Sequence, residues 1–189
     1  MANITNIFSS VTGGFQGSNA LVDNSSVFYL DNGKNAAFAD MEFSGIEGTS
    51  LAPSTPLLGI EVLISGGGYI QPGEGAGFGR FDAELYNITD SSYSSTITTT
   101  SFIPENPYQP GTTLSIGGPT EKWGTTWIYS DITNEDFKLH LDNPIEVNVL
   151  IALGGNYVYI KIYYDDTPSS GVVNINSGMI QLTSGLITL

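Results

Sequence analysis

The sequence predicts an all-β protein: an antiparallel β-sandwich of jelly-roll-like type, with extended N- and C-terminal arms. Three observations carry that expectation. Apolar residues recur with period two in five separate segments, Gly- and Pro-rich turn signals divide them, and no segment offers a capped apolar stripe of 3.6-residue period. Successive side chains of a strand point to opposite faces, so each alternating segment reads as a strand with one face in a core.

Residues 1–18, MANITNIFSSVTGGFQGS, are polar, Gly-containing and weakly patterned, and read as an N-terminal arm. The sandwich domain is expected over 19–166. In GIEVLIS (59–65) the alternation leaves open whether Ile60 or Leu63 faces inward. In RFDAELYNI (80–88), Phe81, Ala83, Leu85 and Asn87 share one face, and Asp82, Glu84 and Tyr86 share the other. FKLHL (137–141) sets Phe137, Leu139 and Leu141 against Lys138 and His140. IEVNVLI (145–151) groups Ile145, Val147, Val149 and Ile151, and VYIKIYY (158–164) groups Val158, Ile160, Ile162 and Tyr164. The expected core therefore includes Phe81, Leu85, Phe137, Leu139, Val147, Val149, Ile160 and Ile162. Turn signals fall at DNGK (31–34), SGGG (65–68), IPENPYQPG (103–111), GGPTEK (117–122) and GGN (154–156). LGGN (153–156) reads as the tight turn of a hairpin. About eight short strands at this spacing suit a sandwich.

After DDTPSSG (165–171), which has a linker composition, the C-terminal β-arm is placed at 167–189. There NINSGMI and QLTSGLI repeat with a seven-residue period, and 172–189 contains no charged residue. Val173, Ile175, Met179, Ile180, Leu182, Leu186, Ile187 and Leu189 make it too apolar to hang in water. Such a segment suits strand addition to a sheet edge, its own or a neighbour's, and these residues are the expected partner-binding set.

The 189-residue chain suits one domain with arms. Its formal net charge is −14, with 13% charged and 40% hydrophobic residues, which is not the make-up of a disordered chain. Lys34, Arg80, Lys122, Lys138 and Lys161 are the only cations, so no basic patch for nucleic acid can be built. The first basic residue is Lys34, so the opening lacks the charged start of a signal peptide, and the sequons at Asn3, Asn24 and Asn87 are treated as chance matches. The longest apolar run, 149–153, is far short of a membrane span. No cysteine is present, which excludes disulfides and thiolate metal sites.

Candidate chemistry concentrates in WGTTWIYSDITNEDFKLHL (123–141), which holds both tryptophans and the single histidine. Trp123 and Trp127, with Tyr129, are candidate glycan contacts by stacking, although large aromatics at a strand start more often close a core. His140 as a catalytic base lacks any nucleophile signature and is expected to face solvent. Asp131, Asn134, Glu135 and Asp136 offer hard oxygen atoms for Ca²⁺, but their order matches no calcium loop. Glu61 and Glu84 are a conceivable acid–base pair across a sheet, against the plainer reading of a solvated face. The Gly-rich 65–80 stretch fails the spacing of a nucleotide loop and leads into a strand. No cofactor, no metal and no enzymatic activity are expected.

The order NALVDNSSVFYL, AFADMEFSGI, PLLGIEVLISG, RFDAELYN, KWGTTW, DITNEDFKLHL and VYIKIYY, over residues 19–164, resembles a β-sandwich module of tailed-bacteriophage and prophage virion proteins. The resemblance implies a non-enzymatic virion component, nearest to small capsid decoration (cement) proteins. It implies other virion proteins as partners, the major capsid protein first, a homo-oligomer with a trimer favoured, and a location on the capsid exterior rather than the tail. The alternatives are a tail-fibre or baseplate adhesin binding host-surface glycan, and a carbohydrate-active enzyme, for which no motif is found.

Overall fold

The computed structural model describes residues 1–14, 17–21, 28–31, 40–48, 51–65, 69–70, 80–87, 89, 91–99, 113–142, 152–166, 171–175 and 178–182. Val147, Val149, the 103–111 turn and most of the Gly-rich stretch lie outside these residues.

The chain is built mainly of antiparallel β-sheet. Its strands are β1 (Ala2–Gly13), β2 (Phe28–Asp31), β3 (Asp40–Gly48), β4 (Leu57–Ser65), β5 (Tyr69–Ile70), β6 (Asp82–Asn87), β7 (Ser92–Tyr93) and β8 (Ile97–Thr98). They continue with β9 (Thr113–Gly117), β10 (Lys138–Asp142), β11 (Ala152–Gly155), β12 (Tyr157–Tyr164), β13 (Gly171–Ile175) and β14 (Gly178–Leu182). Helix is confined, among the described residues, to a 3-10 turn at Gly17–Leu21 and one α-turn, α1 (Tyr129–Ile132).

A nine-stranded sheet runs β7-β6-β10-β3-β1-β12-β4-β9, with β8 also on β6, and curls into a half-barrel. A three-stranded sheet, β2-β11-β5, contributes Phe28 and Leu30 to the same hydrophobic core. That core is filled from one face of the longer strands. Phe8, Met41, Phe43, Ala83, Leu85, Leu139, Leu141, Val158, Ile160 and Ile162 are all buried, and Phe81 and Phe137 join them from strand approaches. On β4 the inward face is Ile60, Val62 and Ile64, while Leu63 lies on the opposite face and is still 8% exposed. Each such large side chain stabilises the fold by about 1.5–3 kcal/mol relative to exposure.

Two segments depart from the sequence expectation. Residues 2–13, read as part of an arm, are instead the central strand of the large sheet: Ile4 pairs with Ile162 of β12, and Phe8 with Ile46 of β3. The pattern is masked because the inward set changes parity, from Ile4, Asn6 and Phe8 to Val11. On β3 it changes at the same level, from Met41 and Phe43 to Ile46. Gly45, at φ 69°, lies at that level, where a Cβ would run into the Ser9 hydroxyl. This positive φ is a conformation that glycine adopts without steric cost.

The second departure is LGGN. It is not a hairpin turn; Ala152–Gly155 is β11, the middle strand of the small sheet, paired with β2 and β5. The chain leaves it for β12 at Asn156, whose N–H donates to the Ser65 carbonyl at 2.8 Å. Gly155 is required by packing: a Cβ there would lie 2.6 Å from Ile64 and 3.0 Å from the Phe28 ring.

Candidate functional site

The tryptophans belong to a strap, residues 118–128, that follows β9 and crosses from the β4 edge toward β7 and β8. Backbone hydrogen bonds tie it to both sides. Ile60 N–H donates to Glu121 O (3.0 Å), Leu57 N–H to Trp127 O (2.9 Å), and Ser95 N–H to Trp123 O (3.2 Å). The strap turns sharply, with positive φ at Gly117 (84°), Trp123 (55°) and Gly124 (78°). For a residue as large as tryptophan that conformation costs on the order of 1–3 kcal/mol, which surrounding contacts must offset. They do so here: the Trp123 indole N–H donates to Ile60 O at 2.9 Å and the ring is fully buried. The Trp127 N–H donates to Lys122 O at 2.9 Å, and its ring meets Phe137 edge-on at 6.1 Å. Tyr129 is 4% exposed, and its hydroxyl accepts from the Asn6 amide at 3.3 Å. All three are at most 4% exposed, which leaves almost no ring face for a sugar to stack on, although Trp123 borders a cleft with Ser92, Ser95 and Thr125.

Asp131 is likewise engaged in structure. Its carboxylate accepts the Ile128 backbone N–H at 2.8 Å and the Thr89 hydroxyl at 2.9 Å, fixing the start of α1. Asn134 accepts the Asp136 N–H at 3.0 Å, a turn-forming contact. Among the described residues no group of three or more His, Asp or Glu side chains is arranged to hold a metal ion.

The outward face of β6, β10 and β3 carries the polar residues. Cross-strand register places Glu84, His140 and Glu42 in one row and Asp82, Asp142 and Asp40 in the next. His140 Nε2 lies 3.0 Å from Asp40 and Nδ1 4.0 Å from Glu84; its neighbours are carboxylates, not a nucleophile. Glu84 also accepts from the Thr96 hydroxyl. Glu61 and Glu84 do not form a pair. Their strands are five inter-strand steps apart in the sheet order, roughly 24 Å along the sheet at the usual spacing. Glu61 instead accepts the Ser115 and Tyr163 hydroxyls at 2.5 and 2.6 Å. Burial, and then that carboxylate, push the Tyr163 phenol up to about 12.

Beside this face lies the feature that sequence reasoning missed. Tyr93, on the short edge strand β7, is 43% exposed and sits opposite Tyr86, with ring centroids 5.3 Å apart, edge to face. Its hydroxyl donates to Glu42 at 3.1 Å, and Glu42 also holds Lys138 Nζ at 3.0 Å. Partial burial and the Glu42 contact raise the Tyr93 phenol, while the Glu42 hydrogen bond raises the Lys138 ammonium. Tyr93 lines two clefts. One, of about 250 Å³, is walled by uncharged groups including Ser92, Ser95 and Thr125; the other, of about 410 Å³, adds Tyr86, Asp136 and Lys138. A signal for half of this was present: alternation already placed Tyr86 on the polar face. Tyr93, inside SSYSS, carried none.

In the C-terminal segment, Val173, Ile175, Met179, Ile180 and Leu182 fall on β13 and β14, which form a hairpin with Val173 opposite Ile180. Leu186, Ile187 and Leu189 lie outside the described residues. Among the described residues these two strands pair only with each other. No helix of the described residues is long and apolar enough to cross a membrane.

No family model matches the chain, and no curated protein or solved structure matches it either.

Proposed function

We propose that the chain is a non-enzymatic structural protein of a phage virion, in first place a capsid decoration (cement) protein attached through its C-terminal β-arm. In this reading the large curled sheet and the β2-β11-β5 sheet are the two layers of a jelly-roll-like sandwich; their shared core of Phe28, Leu30 and Ile64 supports it. The protein works as a homo-oligomer, with a trimer favoured, bound to the major capsid protein on the shell exterior, and engages neither nucleic acid nor membrane. The observation that carries the reading is the uncharged hairpin β13–β14, whose strands pair with no other described strand. Its outer backbone N–H and C=O groups suit strand addition to a partner's sheet.

The test removes residues 171–189. The truncated chain is expected to keep its β circular dichroism and its melting transition, while losing co-sedimentation with capsid shells and the oligomer seen by light scattering. Unfolding on truncation would assign the hairpin to the chain's own core, and unchanged shell binding would remove it as the anchor. An adhesin at the tail is the second reading, favoured by the exposed tyrosine between two clefts.

A further inference from the structure

We propose that the two clefts flanking Tyr93 form one binding site for a neutral saccharide, with the Tyr93 ring as stacking surface and Ser92, Ser95, Asp136 and Lys138 as hydrogen-bonding rim. The inference does not depend on where the protein sits on a particle or on its C-terminal hairpin.

Four features of the surface point to that ligand class. First, Tyr93 is a large aromatic left 43% exposed, and it is shared by clefts of about 250 and 410 Å³. The larger volume is at the lower end of the range for small-molecule sites and the smaller falls just below it, so each side admits about one ring rather than an extended polymer. Second, the ring is held in place before any ligand arrives. Its hydroxyl is tied to Glu42 at 3.1 Å, and Tyr86 and His140 abut it edge-on at 5.3 and 6.1 Å. A pre-positioned aromatic loses little conformational entropy on binding. Third, the smaller cleft has no charged residue in its lining, which combines four hydroxyl residues and Asn87 with Tyr93, Trp123 and Gly124. That lining matches the hydroxyl rim of a sugar better than it matches an apolar ligand. Fourth, the charged groups of the larger cleft, Asp136 and Lys138, are one of each sign, and the chain as a whole carries −14. Phosphorylated, sialylated or uronic-acid ligands would approach against that field, whereas an uncharged sugar would not.

The experiment is an amide NMR titration of the full chain with separate mono- and disaccharide probes: glucose, galactose, mannose, N-acetylglucosamine and their β-linked dimers, with sialyllactose and glucuronic acid as acidic comparators. At least one neutral probe should shift Ser92–Ser95, Thr125 and Lys138 with a Kd of about 1 mM or tighter. Tyr93→Ala should weaken that binding about tenfold or more, as removal of a central aromatic contact does. Ser92→Trp, which fills the smaller cleft from an exposed position, should weaken it as well, and both variants should stay folded with a single cooperative melting transition. Tyr93→Phe, which keeps the ring, should retain most of the affinity. The proposal is overturned by shifts with no neutral probe, by stronger binding of the acidic ones, or by binding that survives Tyr93→Ala. Loss of binding in these variants leaves shell attachment through the hairpin untouched, so failure here and failure of the decoration reading are told apart.

Discussion

Trp123 and Trp127 lie on one side of the seam between the 118–128 strap and β7, and Tyr86 and Tyr93 lie on the other. The tryptophans are at most 2% exposed, whereas Tyr93 is 43% exposed. Aromatic size does not explain the difference, since the larger rings are the buried ones. Available backbone acceptors and strand parity do. Each indole has a single N–H, and each finds a carbonyl at 2.9 Å, so the rings enter the core with no polar atom unsatisfied. Tyr86 and Tyr93 stand opposite one another on outward-facing strand positions, where the Tyr93 hydroxyl reaches a surface carboxylate. An aromatic pair in a loop is thus a poor guide to a ligand surface until its hydrogen-bond partners are known.

The comparison can be broken most severely at Trp123. Trp123→Ala removes a fully buried ring and its bond to Ile60, and should cost about 3–5 kcal/mol in urea denaturation. A loss below about 1 kcal/mol would mean that the strap is not part of the core. Gly59→Ala examines the same strap from beneath: an added Cβ would meet the carbonyl groups of Gly118 and Pro119. Displacing that backbone should cost about 1–3 kcal/mol, read as a lower urea midpoint with an unchanged slope.

Tyr163 gives a smaller effect with a distinct pH signature. Its folded pKa, about 12, lies above the unfolded value of 10.0, so its contribution is complete below about pH 10 and is lost as pH rises through about 12. Tyr163→Phe should therefore flatten part of the alkaline fall in melting temperature between those values. At pH 7 it should cost on the order of 1 kcal/mol through the lost Glu61 hydrogen bond. Smallest of all, Tyr93→Phe, which removes one hydroxyl from a 43% exposed ring and keeps the ring contacts, should change stability by about 0.5 kcal/mol or less.

The all-β class and the inward faces of β6, β10 and β12 were legible because each keeps strict alternation over one buried side. β1 was not, since Asn6 occupies an inward position, Ile7 an outward one, and the inward parity changes between Phe8 and Val11. LGGN was misread because a short Gly-rich strand buried between two others has the composition of a turn. The tryptophan strap was located but its chemistry was undecidable, because burial there depends on Ile60 and Lys122 carbonyls that no local pattern announces. The acid pair Glu61 and Glu84 failed for the same reason: strand order across a sheet is a property of the whole topology.

The central place of β1 also bears on how the chain comes to fold. Ile4 must wait for Ile162, and without β1 the large sheet divides into β7-β6-β10-β3 and β12-β4-β9. Pairings that close loops of this length put the protein among slow folders, in milliseconds to seconds rather than microseconds. On a ribosome adding about 5–20 residues per second, the first strand would spend roughly 8–30 s before its β12 partner emerged. During that interval it can pair with β3 alone, in a register where Phe8 already reaches Phe43. Such a β1–β3 ribbon would occupy one edge of β1 and leave the other open, and the arrival of Tyr157–Tyr164 would be the event that joins the two halves into one sheet.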